Sequence, residues 1–444
     1  MLTAITLENF KSYRQAKLPL SALTVLIGAN ASGKSNVIEA LQFLSLLAHG
    51  QKLSAIQFAV QNGNQVMRGK LEDLAYQRGE SFCLGVYTSA PEWNRLTMQL
   101  SRRTDGLHIT AETLNHDGEK VPLYALDQPS DGQSTDAGVA YNNFTKGGNK
   151  PHVTCTDQAA IFTQLTSPAA FEAKHKKSRE QIPPVAKHLE QWLSSILFLD
   201  PVPAQMRDYT FPSDKQLQSN GRNVSAVLFN LWGNNEGAAQ EQPYASNRAS
   251  ILQFIQSLPE QDIANISFLQ EPRGGVMLQL TETFGGKADA CDASLLSDGT
   301  LRVLAIAAAM LSAPEGSLVV IEEIDNGVHP SRAHHLLHQL QSIAQTRKLR
   351  VLLSTHNPAM LDALPASAVP DVVFCYRHPE DGASCLVRLA DIPDYPELIA
   401  QGTLGHLMTS GALERFVKHC PTGEERKQRA LDWLAKMRGE DSNE

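Results

Sequence analysis

No C-x-x-C pair occurs in this chain. Its six cysteines, Cys83, Cys155, Cys291, Cys375, Cys385 and Cys420, are scattered over 444 residues. That spacing offers no thiolate zinc site and suits a reducing compartment. Long hydrophobic runs are also missing: Val303 to Leu311, the longest, is alanine-rich and well short of the ~18 residues that span a bilayer. Met1-Leu2-Thr3-Ala4-Ile5 has no basic n-region ahead of an apolar stretch. A cytoplasmic location without membrane contact is therefore expected. A basic excess is lacking too, since the net charge of −8 argues against a surface wholly coated in nucleic acid, although a local patch stays open. There is neither an internal repeat nor a sustained heptad run, which excludes a solenoid and a long coiled coil.

What remains is an ordinary globular composition, 42% hydrophobic and 19% charged, in a length that suggests two or three domains. Its organising stretch is Gly28-Ala29-Asn30-Ala31-Ser32-Gly33-Lys34-Ser35. An apolar run, Leu23 to Ile27, precedes it, and the helix-like Asn36-Val37-Ile38-Glu39-Ala40-Leu41 follows. G-x-x-x-x-G-K-[ST] between a strand and a helix is a phosphate-binding loop. Its glycines let backbone N–H groups converge on phosphate oxygens at a positive helix end. Lys34 would reach the β- and γ-phosphates of ATP, and the Ser35 hydroxyl would hold Mg²⁺.

Taken in order, the chain predicts strands at Leu2–Leu7 and Leu23–Ile27, around a polar excursion from Asn9 to Arg14. The loop helix runs from Lys34 to Leu47. Period-2 segments around Phe82–Tyr87, Leu96–Leu100 and Leu107–Ala111, broken by Asp105-Gly106 and Asp117-Gly118, predict an antiparallel hairpin sheet. Pro122 demotes the segment of Val121, Leu123 and Ala125 to an edge strand at best, and residues 127–151 read as a loop. Amphipathic helices are expected around Val185–Ile196, Val224–Leu231 and Ile251–Leu258. A strand marked by Val276, Leu278 and Leu280 comes next. From Gly299 onward helices and apolar strands alternate, which implies a parallel sheet with ligands at the carboxyl ends of its strands. The expected division is an ATPase head (1–104 and 263–400), an inserted, mainly helical lid (105–262) and a helical tail (401–444), in an α/β fold.

Three late elements complement the loop. Leu296-Ser297-Asp298-Gly299-Thr300 stands directly before a helix, so it offers hydroxyl and amide donors to an anion, or serves simply as an N-cap. The strand Leu318–Ile321 ends in Glu322-Glu323, two carboxylates whose burial calls for a cation. Mg²⁺ beside Ser35 would satisfy Glu322, leaving Glu323 to take a proton from an attacking water. Ser354-Thr355-His356 ends another apolar strand, where an imidazole can hydrogen-bond a γ-phosphate.

In this order the set resembles the head domain of ABC-type ATPases, in the SMC/RecF-like branch that includes OLD-type defence ATPases. Ile5–Tyr13 is similar to that branch's opening and Gly28–Ser35 to its Walker A. Leu296–Thr300 resembles its signature, Leu318–Glu323 Walker B with the catalytic glutamate, Asp325-Asn326-Gly327 the D-loop, and Ser354–Pro358 the switch-histidine loop. The resemblance covers residues 1–90 and 265–365, approximately. Asp298 and Thr300 stand where transporters carry glycine and glutamine, and Glu322 stands where aspartate is usual. Gln77 is the one candidate for a Q-loop.

The resemblance implies nucleotide contacts from Gly28 through Asn36, from Ser297 and Gly299, and from Lys11 and Tyr13. Lys34, Glu323 and His356 are implied as the catalytic set, with Ser35 and Glu322 as metal ligands. It further implies ATP-dependent head-to-head pairing. Nothing in the sequence says whether the signature meets its own loop or a neighbour's. The leading expectation is an anti-phage ATPase acting on a separately encoded nuclease or toxin, and the alternative is a RecF-like repair factor that clamps DNA. A built-in nuclease is not expected, because Asp391-Ile392-Pro393-Asp394 is spaced wrongly for D-x-D. His329, His334, His335 and His338 read as a solvated helix face, and Lys174–Arg179 as a basic run. Asp200-Pro201-Val202-Pro203 with Arg207 resembles a turn that recurs in this branch.

Overall fold

The structure, a computed structural model, describes residues 1–61, 67–116, 118–233, 244–255, 263–284, 287–326, 330–392 and 395–418. Expectations that fall on Asp117, Gly327, His329, Pro393, Asp394, Cys420 and the charged tail Glu424–Met437 lie outside them.

The chain opens with β1 (Leu2–Phe10), β2 (Tyr13–Pro19) and β3 (Leu23–Ile27), followed by α1 (Lys34–Ala48) and α2 (Leu53–Gln61). A run of strands comes next: β4 (Ser81–Thr88), β5 (Arg95–Arg103), β6 (Gly106–Asn115), β7 (Tyr124–Gln128), β8 (Asp136–Tyr141) and β9 (His152–Thr156). Then come α3 (Ile161–Gln164), α4 (Lys176–Ser194), β10 (Leu197–Leu199), α5 (Val224–Trp232) and α6 (Tyr244–Ile255). A small sheet holds β11 (Ile263–Gln270), β12 (Val276–Phe284) and β13 (Lys287–Asp292). The rest alternates: α7 (Asp298–Ser312), β14 (Leu318–Ile321), α8 (Pro330–Thr346), β15 (Arg350–Ser354), α9 (Pro358–Asp362), β16 (Val372–Arg377) and β17 (Ser384–Arg388). Three short helices close it: α10 (Tyr395–Ala400), α11 (Leu404–Thr409) and α12 (Ala412–Lys418).

Everything that positions the site is a six-stranded sheet in the order β10-β14-β15-β3-β16-β17. It is parallel from β10 through β16, and only β17 runs antiparallel. Such a sheet must bury both faces, and the alternation along each strand does so. Leu23, Val25 and Ile27 of β3 enter a core with α7 and α8, whereas Leu26 enters a second core with α1 and α4. Val319 and Ile321 of β14 divide from Leu318 and Val320 in the same way.

The antiparallel sheet has eight strands, β2-β1-β4-β5-β6-β7-β8-β9. Here the expectations need correction. β2 emerges from the polar excursion because Tyr13, Ala16 and Leu18 bury while the charged residues between them stay outside. β7 lies between β6 and β8 rather than at an edge, since Pro122 precedes the strand and withholds no ladder donor. Residues 127–151 contain β8, whose Ala137, Val139 and Tyr141 alternate inward although Gly and Ala weaken its strand signal. The span 105–262, expected to be mainly helical, therefore supplies β6 to β9 to one sheet and β10 to another. Its helices also divide, with α4 packing on α1 and α5 and α6 packing on α7. Among the described residues no helix is long and apolar enough to cross a membrane.

A fully buried carboxylate anchors the antiparallel sheet to α3. Glu112 of β6 accepts from the Tyr124 hydroxyl (2.7 Å) and from the Ile161 and Phe162 amides (2.8 and 2.9 Å). Burial raises its pKa from 4.5 to about 7 against the pull of those three donors. A folded value above the unfolded one means that this stability is complete below pH 4.5 and is lost as pH rises through about 7. Glu112→Gln removes the titration but keeps only one accepting oxygen, with an amide nitrogen where the other stood, so its stability is offset downward by a constant amount. Urea unfolding is expected to show the variant flat from a pH of about 4.5 to about 8, while wild type loses up to about 3 kcal/mol over that range. Parallel pH profiles would rule this out.

Candidate functional site

β3 delivers the chain to the phosphate-binding loop in a conformation that only small residues permit. Gly28 and Gly33 sit at φ +146° and +121°. A Cβ at Gly28 would overlap the Cys375 carbonyl oxygen, and one at Gly33 would overlap Ser384 Oγ. Between them Ala31 is held at φ +63°, a left-handed position for a residue with a side chain. Distant residues hold it there: Arg377 Nε donates to Ala31 O (2.9 Å), Tyr13 OH to Gly33 O (3.0 Å) and Cys375 Sγ to Ser32 O (3.3 Å). Ser384 and Asn36 both bond Ser12 Oγ, at 2.8 and 2.7 Å. Sequence reasoning missed Arg377, Cys375 and Ser384, which lie more than 300 residues from the loop and carry no motif of their own.

α1 begins without a side-chain cap, and although Asn36 N already bonds Gly33 O (2.9 Å), the amides of Lys34 and Ser35 point to a ligand. Lys34 Nζ curls back onto the carbonyls of Gly28 (2.6 Å) and Ala29 (3.0 Å). Burial lowers its pKa, and the charges of Cys375, Glu323 and Asp325 act in the opposite sense. Ser32 Oγ is buried and has no hydrogen-bond partner. A glycine-lined concavity, uncapped amides, a lysine and an orphaned hydroxyl fit a triphosphate. Lys11 does not join them: its ammonium pairs with Glu39 of α1, which Arg68 Nε also engages at 2.6 Å. It is buried behind that pair. Gln77 is exposed, and its amide bonds the neighbouring Tyr76 hydroxyl (3.3 Å).

The two acidic residues after β14 turn different ways. Glu323 takes φ +47°, with its amide bonded to Ser354 Oγ (3.0 Å) and its Oε2 accepting from Asn326 Nδ2 (2.7 Å). Glu322 lines a cavity of about 450 Å³ with Asp200, Gln42 and His49. Burial raises its pKa, Asp200 adds to the shift, and Arg68 opposes it. A carboxylate in that condition suits a cation. Thr355 Oγ1 donates to Asp325 Oδ1 (2.7 Å), and His356 Nδ1 lies 3.5 Å from Asp325 Oδ2. Thr355 N also bonds Leu26 O of β3 (3.3 Å). Lys34, Glu323 and His356 thus follow the carboxyl ends of three adjacent strands, β3, β14 and β15, with Asp325 of the expected D-loop bonded to the residues after β15.

At the signature, Ser297 caps α7, accepting from Thr300 N (3.1 Å). Arg207 Nη2 braces it from outside, bonding Leu296 O (2.8 Å) and Asp298 Oδ1 (2.7 Å). His334, His335 and His338 are exposed on α8, and no group of metal-ligating residues stands among the described residues. Ser32 generates a prediction with opposite signs. Ser32→Ala removes an unsatisfied hydroxyl, so thermal stability of the free protein is expected to hold or rise, while affinity for a nucleoside triphosphate falls about tenfold. Equal affinity in calorimetric titration would assign the hydroxyl no part in binding.

The comparisons with known proteins bear on the same residues. A family model described as "AAA domain, putative AbiEii toxin, Type IV TA system" matches residues 164–362. One described as "AAA ATPase domain" matches residues 1–84. The DNA replication and repair protein RecF of Lactococcus lactis is 46% identical over 46 residues, which is 10% of this chain and 13% of that protein. Among solved structures, an Smc head bound to the C-winged helix domain of ScpA has a TM-score of 0.49 at 14% identity, covering 87% of this chain and 97% of that one. The SMC head domain from Thermotoga maritima has a TM-score of 0.42 at 13% identity, covering 87% and 98%. The match over residues 1–84 contains Gly28–Ser35, and the match over residues 164–362 contains Leu296–Thr300, Leu318–Glu323 and His356. Both halves of the site therefore lie within matches to ATPase-domain models, and the order of its motifs is similar to that of SMC/RecF-like ABC-type ATPases.

Proposed function

We propose that the chain binds and hydrolyses ATP with Mg²⁺ at this site, and that nucleotide-dependent pairing of two heads controls a separately encoded effector in anti-phage defence. The observation that carries the catalytic part is the meeting of Lys34, Glu323 and His356 at the ends of adjacent strands, knitted by Asp325 and Thr355. Lys34 exchanges its two loop carbonyls for phosphate oxygens, and the loop amides that bond nothing within the loop, those of Lys34 and Ser35 among them, complete the cradle with Ser32 Oγ. Ser35 and Glu322 would hold the metal, which would offset charge on the β- and γ-phosphates. Glu323, its backbone pinned by Ser354 and its carboxylate oriented by Asn326, accepts the proton of the attacking water. His356, whose side chain is 55% exposed, is free to meet the terminal phosphate.

Ser297 and Gly299 act across the pair on the other head's nucleotide, so that binding closes two heads and hydrolysis releases them. The toxin wording of the family model over residues 164–362 supports the defence reading. The RecF segment supports the second reading, a repair factor that clamps DNA. A cytoplasmic location belongs to the proposal in either case.

Glu323→Gln is expected to bind ATP with wild-type affinity, lose turnover by about 10²–10⁴-fold and elute as a larger species when ATP is present. Lys34→Ala is expected to lose binding itself. A Glu323→Gln protein that stays monomeric with bound ATP would refute the pairing mechanism. ATP-dependent retention of duplex DNA by the purified chain would favour repair, and a second polypeptide co-purifying from the same operon would favour defence.

A further inference from the structure

One short segment touches both ends of the catalytic apparatus. At its start β10 pairs in parallel with β14, Leu199 opposite Ile321, and the Glu322 amide bonds Leu199 O (3.4 Å). At its end the Arg207 guanidinium holds Leu296 O and Asp298 Oδ1, the neighbours of Ser297 on either side. The residues between are tied along their length. Asp200 N bonds Ser219 O and Val202 N bonds Asn220 O, both at 2.9 Å, while Asn220 Nδ2 bonds Gln205 Oε1 at 2.6 Å. Pro203 and Met206 are buried, and Met206 packs over Gly221 toward Ala305 on the second turn of α7. Residues 197–207 therefore form a strap from the Walker B strand to the first turn of the signature helix within one chain.

We propose that Arg207 is a positioning residue for ATP hydrolysis: it sets the orientation of Ser297 and the α7 amides, and the strap couples that orientation to Glu322. The inference rests on the ATPase reading. Its physical basis is Nη2 of the guanidinium, whose two N–H donors, fixed in the guanidinium plane, bridge a carbonyl and a carboxylate flanking one residue; a lysine ammonium is a rotatable point charge on a different stem and does not hold that pair of directions. The pair is partly open to solvent, Arg207 at 29% and Asp298 at 69%. Its direct contribution to stability is small for that reason. Loss of Arg207 should therefore leave the fold and the nucleotide's own cradle intact while the signature loses its setting.

The test uses the full-length chain carrying Arg207→Ala, Arg207→Lys, Asp298→Ala and the Ala/Ala pair. Each is measured for ATP affinity, steady-state turnover, melting temperature and amide hydrogen exchange. Arg207→Ala is expected to keep Kd within about twofold and its melting temperature within about 2 °C. Its kcat is expected to fall by about tenfold or more, with Arg207→Lys failing to restore it. The double variant should lose no more than the more impaired single variant, as coupled residues do. Exchange should quicken at residues 297–301 in Arg207→Ala. Turnover within twofold of wild type, additive losses, or unchanged exchange at those amides would each overturn the proposal. Wild-type protein that binds ATP but does not hydrolyse it would count against the ATPase reading instead, and the exchange measurement would still decide whether Arg207 sets the signature.

Discussion

Thr355 is the junction on which the site depends. Its amide reaches the carbonyl of Leu26 in β3, and its hydroxyl reaches Asp325 in the turn after β14. Because β15 lies between those two strands, a single residue at its end fixes the spacing of the phosphate-binding loop from the acidic turn. Ser354 adds a second tie through the Glu323 amide, and its own carbonyl accepts from Ile324. The candidate base, the lysine and the switch histidine are thus set by backbone-anchored bonds at strand ends, the most rigid places available to them. Loops alone would leave such groups an ångström or more adrift, enough to cost rate.

The loop itself shows where conformational strain is held. Ala31 and Glu323 both occupy the left-handed region without being glycine. Such positions cost of order 1–3 kcal/mol each and persist only where the surroundings impose them. For Ala31 the imposing group is Arg377; for Glu323 it is the pair of bonds from Ser354 and Asn326. Strain sits on the two turns that follow β3 and β14, while the strands beneath are regular and buried. Tyr13 extends this support from the antiparallel sheet. Its hydroxyl lies between Gly33 O and Cys375 Sγ, and burial together with Cys375 raises its pKa well above the ordinary phenolic value, so it remains a neutral donor.

Residues 105–262 are the instructive difference between reading and structure. Their helices are legible because Leu189 and Leu193 of α4, or Val224, Val227 and Leu228 of α5, repeat at helical spacing. α4 nevertheless continues through Pro183 and Pro184, which sequence rules place near a helix start. β8 and β10 are nearly silent. One is built on Asp, Ala and Gly, and the other is three residues long, so each exists because a neighbouring strand offers a ladder to complete. Nor could helix periodicity tell that α4 packs on α1 whereas α5 and α6 pack on α7, since an apolar stripe does not name its partner.

Local chemistry wrote the phosphate-binding loop, the acidic strand end and the switch histidine into the chain. Glycines flanking Lys34, and carboxylates or an imidazole closing a buried strand, have few other physical uses. Tertiary structure decided what lies beyond reach of local patterns: that Lys11 spends its charge on Glu39, that Cys375, Arg377 and Ser384 brace a loop far away in sequence, and that Arg207 grips the signature. The reason is the range of the forces. Backbone propensity and side-chain period act over a few residues, whereas a bond between Ala31 and Arg377 exists only after β3 and β16 have paired.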